Sequence, residues 1–206
     1  MNEVIYLVQR ARMRAMELNG QLAVRYGIAS EQLPIGALKM AGNHSVVATE
    51  LLTHYLRVWS NSAAVSANVV SLQPENAERV VEVTKAILVL CISAFEFSLK
   101  QAVEADPKKL SSLSGRVDLR KIIDASATAM LIPAAEKFGW EGVIELRNSM
   151  VHNNGIAEKT ETYHLPAGPT ISLYAGKTIQ GELGLFAEVL VWSVEAFARW
   201  CDGFLR

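Results

Sequence analysis

The chain has 206 residues, of which 50% are hydrophobic and 20% charged, and its formal net charge is -1 at pH 7. That composition can bury a core in one domain with additions, or in two small domains, and it excludes a disordered chain. Without a basic excess the chain cannot coat nucleic acid through a broad electrostatic footprint, so any contact with RNA must be local.

Cysteine usage and the N-terminal segment predict a cytoplasmic protein. The two cysteines, Cys91 and Cys201, give neither a disulfide framework nor a zinc-binding spacing. The N-terminus is not typical of a secretory signal, because Glu3 comes early and arginines follow the short apolar stretch. The longest apolar run, between Lys85 and Glu96, has about half the length of a membrane-spanning helix. We expect no membrane contact, and no metal or cofactor.

Apolar residues recur with a helical period along most of the chain. The predicted helices are a first segment ending at 19-NG-20, then 35–41, 46–70, 75–104, 117–131, 134–138 and 181–204. The helix at 75–104 is the most apolar and carries one narrow polar stripe. The stripe consists of Ser93, Glu96, Lys100 and Glu104. Such a pattern is typical of the central helix of a bundle.

Two short runs rich in β-branched and aromatic residues, 160-TETYHL-165 and 170-TISLYA-175, flank 166-PAGP-169. They predict a small β-hairpin. The predicted fold class is therefore all-α, a helical bundle with one small β-hairpin inserted before the C-terminal helix. We divide the chain into an N-terminal helical extension, residues 1–72, packed on the bundle, and a helical domain, residues 73–206.

Two short motifs that suggest enzyme sites are rejected. The string AGKT at 175–178 lacks the glycine that a phosphate loop needs five residues before Gly176, where Ile171 stands. Glu50 and His54 are one helical turn apart, but a zincin needs a second histidine at the position that Glu50 occupies. A polar pair on a helix face explains these two residues more simply.

The segment 145-ELRNSMVHNNGIAE-158 is the strongest candidate site. Gly155 is a natural left-handed terminator, so we expect the preceding apolar helix to end at about Asn153 or Asn154. Arginine offers a planar charged fork for a phosphate, and histidine exchanges a proton near neutral pH. The two side chains can therefore cleave RNA without metal, because RNA supplies its own 2′-hydroxyl nucleophile.

The positions of these side chains follow from helix geometry. Asn148 and His152 are four residues apart and share a face, so the amide can orient the imidazole. Arg147 lies five residues before His152, roughly 140° around the helix. A structural interpretation is also open, in which the helix dipole favours the histidine and the arginine binds a carboxylate such as Glu96 or Glu145. Physical chemistry alone places this interpretation first.

The string Arg147-Asn148-x-x-x-His152, which ends an apolar helix before Asn-Asn-Gly, resembles the signature of HEPN domains (higher eukaryotes and prokaryotes nucleotide-binding). Their motif is an arginine, four to six residues and a histidine, often with a polar residue directly after the arginine. The resemblance covers about residues 75–205 and leaves 1–72 unassigned. It implies a bundle of HEPN type and a homodimer in which two such motifs face each other across a cleft.

The resemblance also implies a function, that of a metal-independent endoribonuclease acting as a toxin or as a defence effector against phage. In these roles Arg147 would bind and polarise the phosphate, His152 would be the acid and base, and Asn148 would position one or both. An active site of this kind needs the arginine and the histidine to converge in an accessible, positive groove.

Further residues are candidates for binding. Glu96 lies on the central helix near the expected site, although an ion pair with Lys100 explains it equally well. Asn153, directly after the histidine, is a second candidate. A local RNA track, or simply a solvated face, is formed by Arg116, Arg120 and Lys121.

The alternative function is a non-catalytic HEPN module for dimerisation, or for binding a nucleotide or a partner protein. Other members of the family keep the fold, and sometimes the motif, while acting in this way. The near-neutral charge and the unassigned N-terminal layer keep this alternative open. The expected partners are RNA, a second copy of the chain, and an antitoxin or another partner protein.

Overall fold

A computed structural model of the protein describes residues 2–63, 74–113, 115–179 and 183–206. These residues form six α-helices, one short 3-10 helix and one antiparallel pair of strands. In chain order they are α1 (Asn2–Tyr26), α2 (Gly36–Ala63), α3 (Pro74–Ala105), the 3-10 helix (Pro107–Leu110), α4 (Leu119–Thr128), α5 (Ala134–His152), β1 (Glu161–His164), β2 (Thr170–Leu173) and α6 (Leu185–Leu205). The predicted all-α class with a small hairpin before the last helix is confirmed.

The helices surround a continuous apolar core. α1 packs against α2 and α6, α2 packs against α3, and α3 also contacts α4, α5 and α6. The rings of Phe95 on α3 and Phe197 on α6 stack with centroids 4.2 Å apart. α6 is buried on nearly every side, because its apolar residues cover more than one face. Both α3 and α6 therefore occupy the centre of the bundle.

The predicted domain boundary at residues 72 and 73 falls in the segment 64–73, which lies outside the described residues. The parts of the chain before and after this segment share one apolar core. Buried residues of α1 and α2, such as Val8 and Leu52, belong to the same hydrophobic cluster as those of α3 and α6. None of the described helices combines the length and apolar character that crossing a lipid bilayer requires. A cytoplasmic location stays a prediction.

The predicted end of α1 at Asn19-Gly20 is wrong, since the helix continues to Tyr26. Asn19 is buried, and its side-chain amide donates to the carbonyl oxygens of Ser30 at 2.8 Å and Ile35 at 2.9 Å. The residue ties the loop after α1 to the helix. The local sequence does not show that Asn19 has these partners, so the asparagine was interpreted as the end of the helix.

The break that was predicted between residues 41 and 46 is also wrong, because α2 is continuous from Gly36 to Ala63. A Cβ at Gly42 would lie 2.8 Å from Sδ of Met16, so the glycine allows α1 to approach α2 closely. The last part of the predicted helix, residues 64–70, lies outside the described residues.

α5 likewise runs through the break that was predicted at Gly139. A Cβ at Gly139 would lie 2.6 Å from Cζ2 of Trp192, and one at Gly142 would lie 2.6 Å from Cβ and Cγ of Tyr163. Both glycines let α6 and the hairpin sit directly on the helix backbone. These two glycines are therefore explained by the close approach of neighbouring elements, and not by the end of a helix.

We expect Gly142→Ala to destabilise the protein by about 2 kcal/mol, because overpacking a tight contact costs roughly 1–3 kcal/mol. Its matched control is Gly20→Ala, at a helical position with nothing within 4 Å of the added Cβ. That change should stabilise the protein by about 0.5–1 kcal/mol, the helix propensity difference. Urea unfolding monitored by circular dichroism measures both. Equal effects of the two substitutions would contradict the close approach at Gly142.

The remaining predicted elements are confirmed within a few residues. α3 and α4 differ from their predictions by one to three residues at each end. The strands pair antiparallel, with Glu161 opposite Leu173 and His164 opposite Thr170. α6 begins at Leu185 and not at 181, and residues 180–182 lie outside the described residues.

Candidate functional site

The predicted end of the motif helix is confirmed. α5 ends at His152, with Asn153 as its cap. The backbone amides of Asn153 and Gly155 both donate to the carbonyl oxygen of Ser149, at 3.2 and 2.9 Å. Asn154 and Gly155 have φ values of 50° and 78°, the left-handed conformation that reverses the chain after a helix.

The guanidinium of Arg147 is held against α3. Its Nη1 donates to Oδ1 of Asn148 at 3.0 Å, and its Nη2 lies 3.5 Å from both Oγ of Ser93 and Oε2 of Glu96. Its Nε is buried and has no hydrogen-bond partner in the described part of the chain. The arginine is thus oriented by several contacts, of which only the one to Asn148 has ordinary hydrogen-bond length.

Glu96 contacts two cationic side chains. Its Oε1 lies 2.6 Å from Nζ of Lys100, one turn further along α3, whereas its Oε2 lies 3.5 Å from Arg147. Charge-assisted hydrogen bonds normally measure about 2.7–2.9 Å, so Lys100 is the principal partner. The predicted ion pair with Lys100 is confirmed. Arg147 is loosely bound to Glu96 and can exchange this contact for another anion.

Arg147 and Asn148 open onto a pocket of about 250 Å³. The pocket is lined by Glu96, Asp118, Leu119, Arg120, Ile144, Arg147 and Asn148. The first turn of α4 forms one wall, and Asp118 caps this helix by accepting from the amide of Lys121 at 3.0 Å. Two arginines and two carboxylates therefore face the same space. The pocket is accessible, but its charges balance, so it is not the positive groove that an active ribonuclease was expected to need.

Arg120 is the pocket residue that the sequence analysis placed only in a possible RNA track. It pairs with Glu145 of α5, which also lies 3.7 Å from Lys159. Arg116 and Lys121 do not line the pocket; Nζ of Lys121 donates to the carbonyl oxygen of Arg116 at 2.8 Å. The local sequence could not show that α4 packs against α5 and so brings Arg120 to the pocket.

A chain of charges links the pocket to the hairpin. Lys159 lies 2.7 Å from Glu161, and this hydrogen bond raises the pKa of Lys159 above its usual value. Burial raises the pKa of Tyr163, which donates to Glu161 at 2.6 Å, to about 12. Lys159 therefore stays protonated and Tyr163 neutral at physiological pH, and neither is a proton acceptor.

His152 lies outside the Arg147 pocket. Its side chain is exposed, and no hydrogen bond or ion pair joins it to any other residue that the structure describes. The amide oxygen of Asn148 accepts from Arg147, and no hydrogen bond joins Asn148 to His152 in the described part of the chain, so the orientation of the imidazole by Asn148 stays a prediction. The histidine is free to meet a group from outside its own chain.

Asn153 is also outside the pocket. Its Nδ2 donates to Oε1 of Glu158 at 2.9 Å, which fastens the loop after α5. The structure thus brings together Arg147, Asn148 and Glu96, but places His152 and Asn153 at the end of the helix. Across residues 2–63, 74–113, 115–179 and 183–206, no group of three or more His, Cys, Asp or Glu side chains is placed to hold a metal ion.

Comparison with known proteins adds no relative to this description. No family model matches the chain, and no curated protein and no solved structure matches it.

Proposed function

We propose that the protein is a metal-independent endoribonuclease of HEPN type that acts as a toxin or phage-defence effector. The observation that carries this proposal is the environment of Arg147, which is oriented at an open pocket and only loosely paired. Asn148 orients its guanidinium at an open pocket of about 250 Å³, while its contact with Glu96 is long at 3.5 Å. His152, at the end of the same helix, is exposed and unpaired among the described residues.

A phosphodiester of RNA enters the pocket and replaces Glu96 as the partner of Arg147. The planar guanidinium binds two of its oxygens, Arg120 approaches from α4, and the positive end of the α4 dipole adds to the field. His152 accepts the proton of the ribose 2′-hydroxyl, whose oxygen attacks phosphorus. The bond between phosphorus and the 5′-oxygen breaks, the proton held by His152 passes to that oxygen, and the products are a 2′,3′-cyclic phosphate and a 5′-hydroxyl.

The site is completed by a second copy of the chain. Residues five apart on a helix are separated by about 7.5 Å along its axis and roughly 140° around it, so Arg147 and His152 of one protomer diverge. In the homodimer that we propose, His152 of one protomer reaches the Arg147 pocket of its partner. Two equivalent sites then lie across one interface, as two-fold symmetry requires.

The second candidate function is a dimeric module that binds a partner or a nucleotide without cleaving RNA. The specific observation in its favour is the charge of the pocket, where Glu96 and Asp118 balance Arg120 and Arg147. A balanced pocket attracts a polyanion less strongly than a positive one. A protein that forms a dimer but leaves RNA intact distinguishes this module from the ribonuclease.

The reaction class is tested by incubating the purified protein with RNA in excess EDTA. We expect cleavage that leaves a 2′,3′-cyclic phosphate, and no cleavage of a DNA of the same sequence, because DNA lacks the 2′-hydroxyl. Intact RNA in several structured and unstructured substrates would refute the ribonuclease and leave the binding module. Equal cleavage of DNA, or a 5′-phosphate product, would refute the proposed chemistry.

A further inference from the structure

A separate cleft of about 500 Å³ lies between α1, α6 and the turn that joins β1 to β2. It shares no lining residue with the Arg147 pocket. Cavities of roughly 300–1,000 Å³ with apolar walls and a few polar groups are the usual form of small-molecule sites. Leu7 and the prolines of the turn contribute apolar surface, and Trp192, which is only 4% exposed, lies under the turn. The proposed function gives this cleft no role.

Trp192 is fixed in the wall of the cleft. Its Nε1 donates to the carbonyl oxygen of Pro166 at 3.0 Å. The turn fits closely over the indole, since a Cβ at Gly168 would lie 2.7 Å from Cδ1 of the ring. Ala167 adopts a left-handed φ of 55°, which costs a residue with a side chain about 1–2 kcal/mol. One wall of the cleft is thus a strained turn that the buried indole holds in place.

The cationic side of the cleft is formed by Arg199 and Arg10. Nε of Arg199 donates to Oε2 of Glu136 at 2.7 Å, and the side chain of Glu136 is only 5% exposed. This buried carboxylate holds one edge of the guanidinium. Nη1 and Nη2 have no partner among the described residues, and neither does the exposed Arg10. Several N–H donors therefore face the cleft unused.

The carboxylates of the cleft determine which anion fits. Glu195 is engaged by Arg14, whose Nε and Nη2 lie 2.6 and 3.1 Å from its two oxygens. Glu188 is exposed and has no cation partner among the described residues. Its free negative charge disfavours a dianion such as a phosphate monoester, but it opposes a monoanion less.

We propose that this cleft binds a small carboxylate with an apolar body. The carboxylate accepts hydrogen bonds from Nη1 and Nη2 of Arg199 and from Arg10, and the apolar body lies against Leu7 and the prolines of the turn. A guanidinium whose orientation is already set by Glu136 loses little side-chain entropy when it binds. This site is independent of RNA cleavage and of the Arg147 pocket.

The test measures the binding of matched naphthyl probes by ligand-observed NMR and titration calorimetry. Naphthylacetate carries a carboxylate, naphthyl phosphate carries a dianion, and naphthylmethanol is neutral. We expect naphthylacetate to bind at least about tenfold more tightly than naphthylmethanol, as the loss of one charge-assisted hydrogen bond predicts. Naphthyl phosphate should bind more weakly than naphthylacetate, and Glu188→Gln should reduce that difference.

Variants locate the site. Arg10→Gln and Arg199→Lys should each weaken naphthylacetate binding about tenfold. The first substitution removes a charged donor. The second keeps a positive charge near Glu136, but lysine cannot offer the planar fork of arginine. Arg12→Gln is the matched control, since Arg12 is exposed on the same helix α1 and lies outside the cleft. Arg147→Ala controls for binding at the other pocket. Neither control should change the affinity.

Several results would overturn the proposal. One is equal affinity for naphthylacetate and naphthylmethanol, and another is no detectable binding of naphthylacetate at millimolar concentration. The third is a loss of naphthylacetate affinity in Arg12→Gln as large as that in Arg10→Gln. Tighter binding of naphthyl phosphate than of naphthylacetate would overturn the assignment of a carboxylate ligand. Because all probes are tested on the folded full chain, each outcome is informative even if the protein cleaves no RNA.

Discussion

Arg147→Ala and His152→Ala should each lower the rate of RNA cleavage by about 100-fold or more. Removing one group that stabilises the charge of a transition state typically costs about 100- to 1,000-fold, and removing a general base costs about 100- to 10,000-fold. Single-turnover cleavage of a labelled RNA in excess EDTA measures both losses. Loss of His152 should act on the chemical step, whereas loss of Arg147 should also weaken RNA binding, because its guanidinium binds the phosphate.

Neither substitution should unfold the protein. Glu96 keeps Lys100 as a partner at 2.6 Å when Arg147 is removed, so no buried carboxylate becomes unpaired. The side chain of His152 is exposed and has no hydrogen bond or ion pair with the described residues that alanine would remove. The matched controls are Arg12→Ala and His164→Ala, which remove the same residue types from exposed positions outside the pocket. Both controls should retain full activity.

Mixing the two inactive variants tests whether the site spans two chains. In a mixed dimer, His152 of the Arg147→Ala protomer meets the intact Arg147 pocket of the other protomer, so one of the two sites is restored. Random exchange of protomers should therefore recover about a quarter of the wild-type sites. If both residues of a site came from one chain, the mixture would stay inactive. Wild-type activity in either single variant would refute the assignment of that residue.

Arg199→Ala should destabilise the protein by about 2–3 kcal/mol near neutral pH. Breaking a buried ion pair typically costs about 3–5 kcal/mol, and we reduce this figure because the side chain of Arg199 is 47% exposed. Burial raises the pKa of the Glu136 carboxyl, while the hydrogen bond from Arg199 opposes that rise. Without the arginine, the pKa of Glu136 rises further, and an unpaired carboxylate remains buried.

The sign of the pH dependence follows from this raised pKa. A carboxyl with a higher pKa in the folded state stabilises the fold below its unfolded pKa, and this stabilisation is lost as the pH rises through the folded pKa. The cost of Arg199→Ala should therefore be larger at about pH 7 than at about pH 5, because the raised pKa of Glu136 leaves less of its carboxyl charged as the pH falls. Urea unfolding at both pH values measures the difference from wild type.

The double substitution Glu136→Gln/Arg199→Ala is the control for this mechanism. It removes the buried charge together with its partner, so its cost should be smaller than that of Arg199→Ala and nearly independent of pH between these values. A single variant whose destabilisation is the same at both pH values would show that lost packing, and not the charge of Glu136, causes the effect.

Much of the fold was predictable from periodicity, and the errors have one physical origin. The long helix at residues 74–105, the hairpin and the C-terminal helix follow directly from the spacing of apolar residues. The breaks that were predicted at Gly20 and Gly139 do not exist, since α1 and α5 run through them. A glycine can end a helix, or it can allow a neighbouring element to approach the helix closely. Only the packing shows which role applies, and at Gly139 the ring of Trp192 lies against the helix backbone.

The candidate site was predictable in its chemistry but not in its arrangement. Arg147, Asn148 and Glu96, all named from the sequence, meet at one pocket. Arg120 joins them because α4 packs beside α5, a contact that local sequence patterns do not encode. His152 was expected to share a hydrogen bond with Asn148, but the amide turns to the neighbouring guanidinium, the nearer and permanently charged donor.

The sequence by itself determined the helical class, the position of the hairpin, the end of the motif helix before Asn154-Gly155, and the charged side chains available for a site. These properties depend on residues within one or two turns of each other. Only the tertiary structure decided which carboxylates meet cations of other helices, so that Glu96, paired with Lys100 within α3, also lies beside Arg147, and Glu136 pairs with Arg199. Glu136 and Arg199 are 63 positions apart, and their distance depends on how the helices pack.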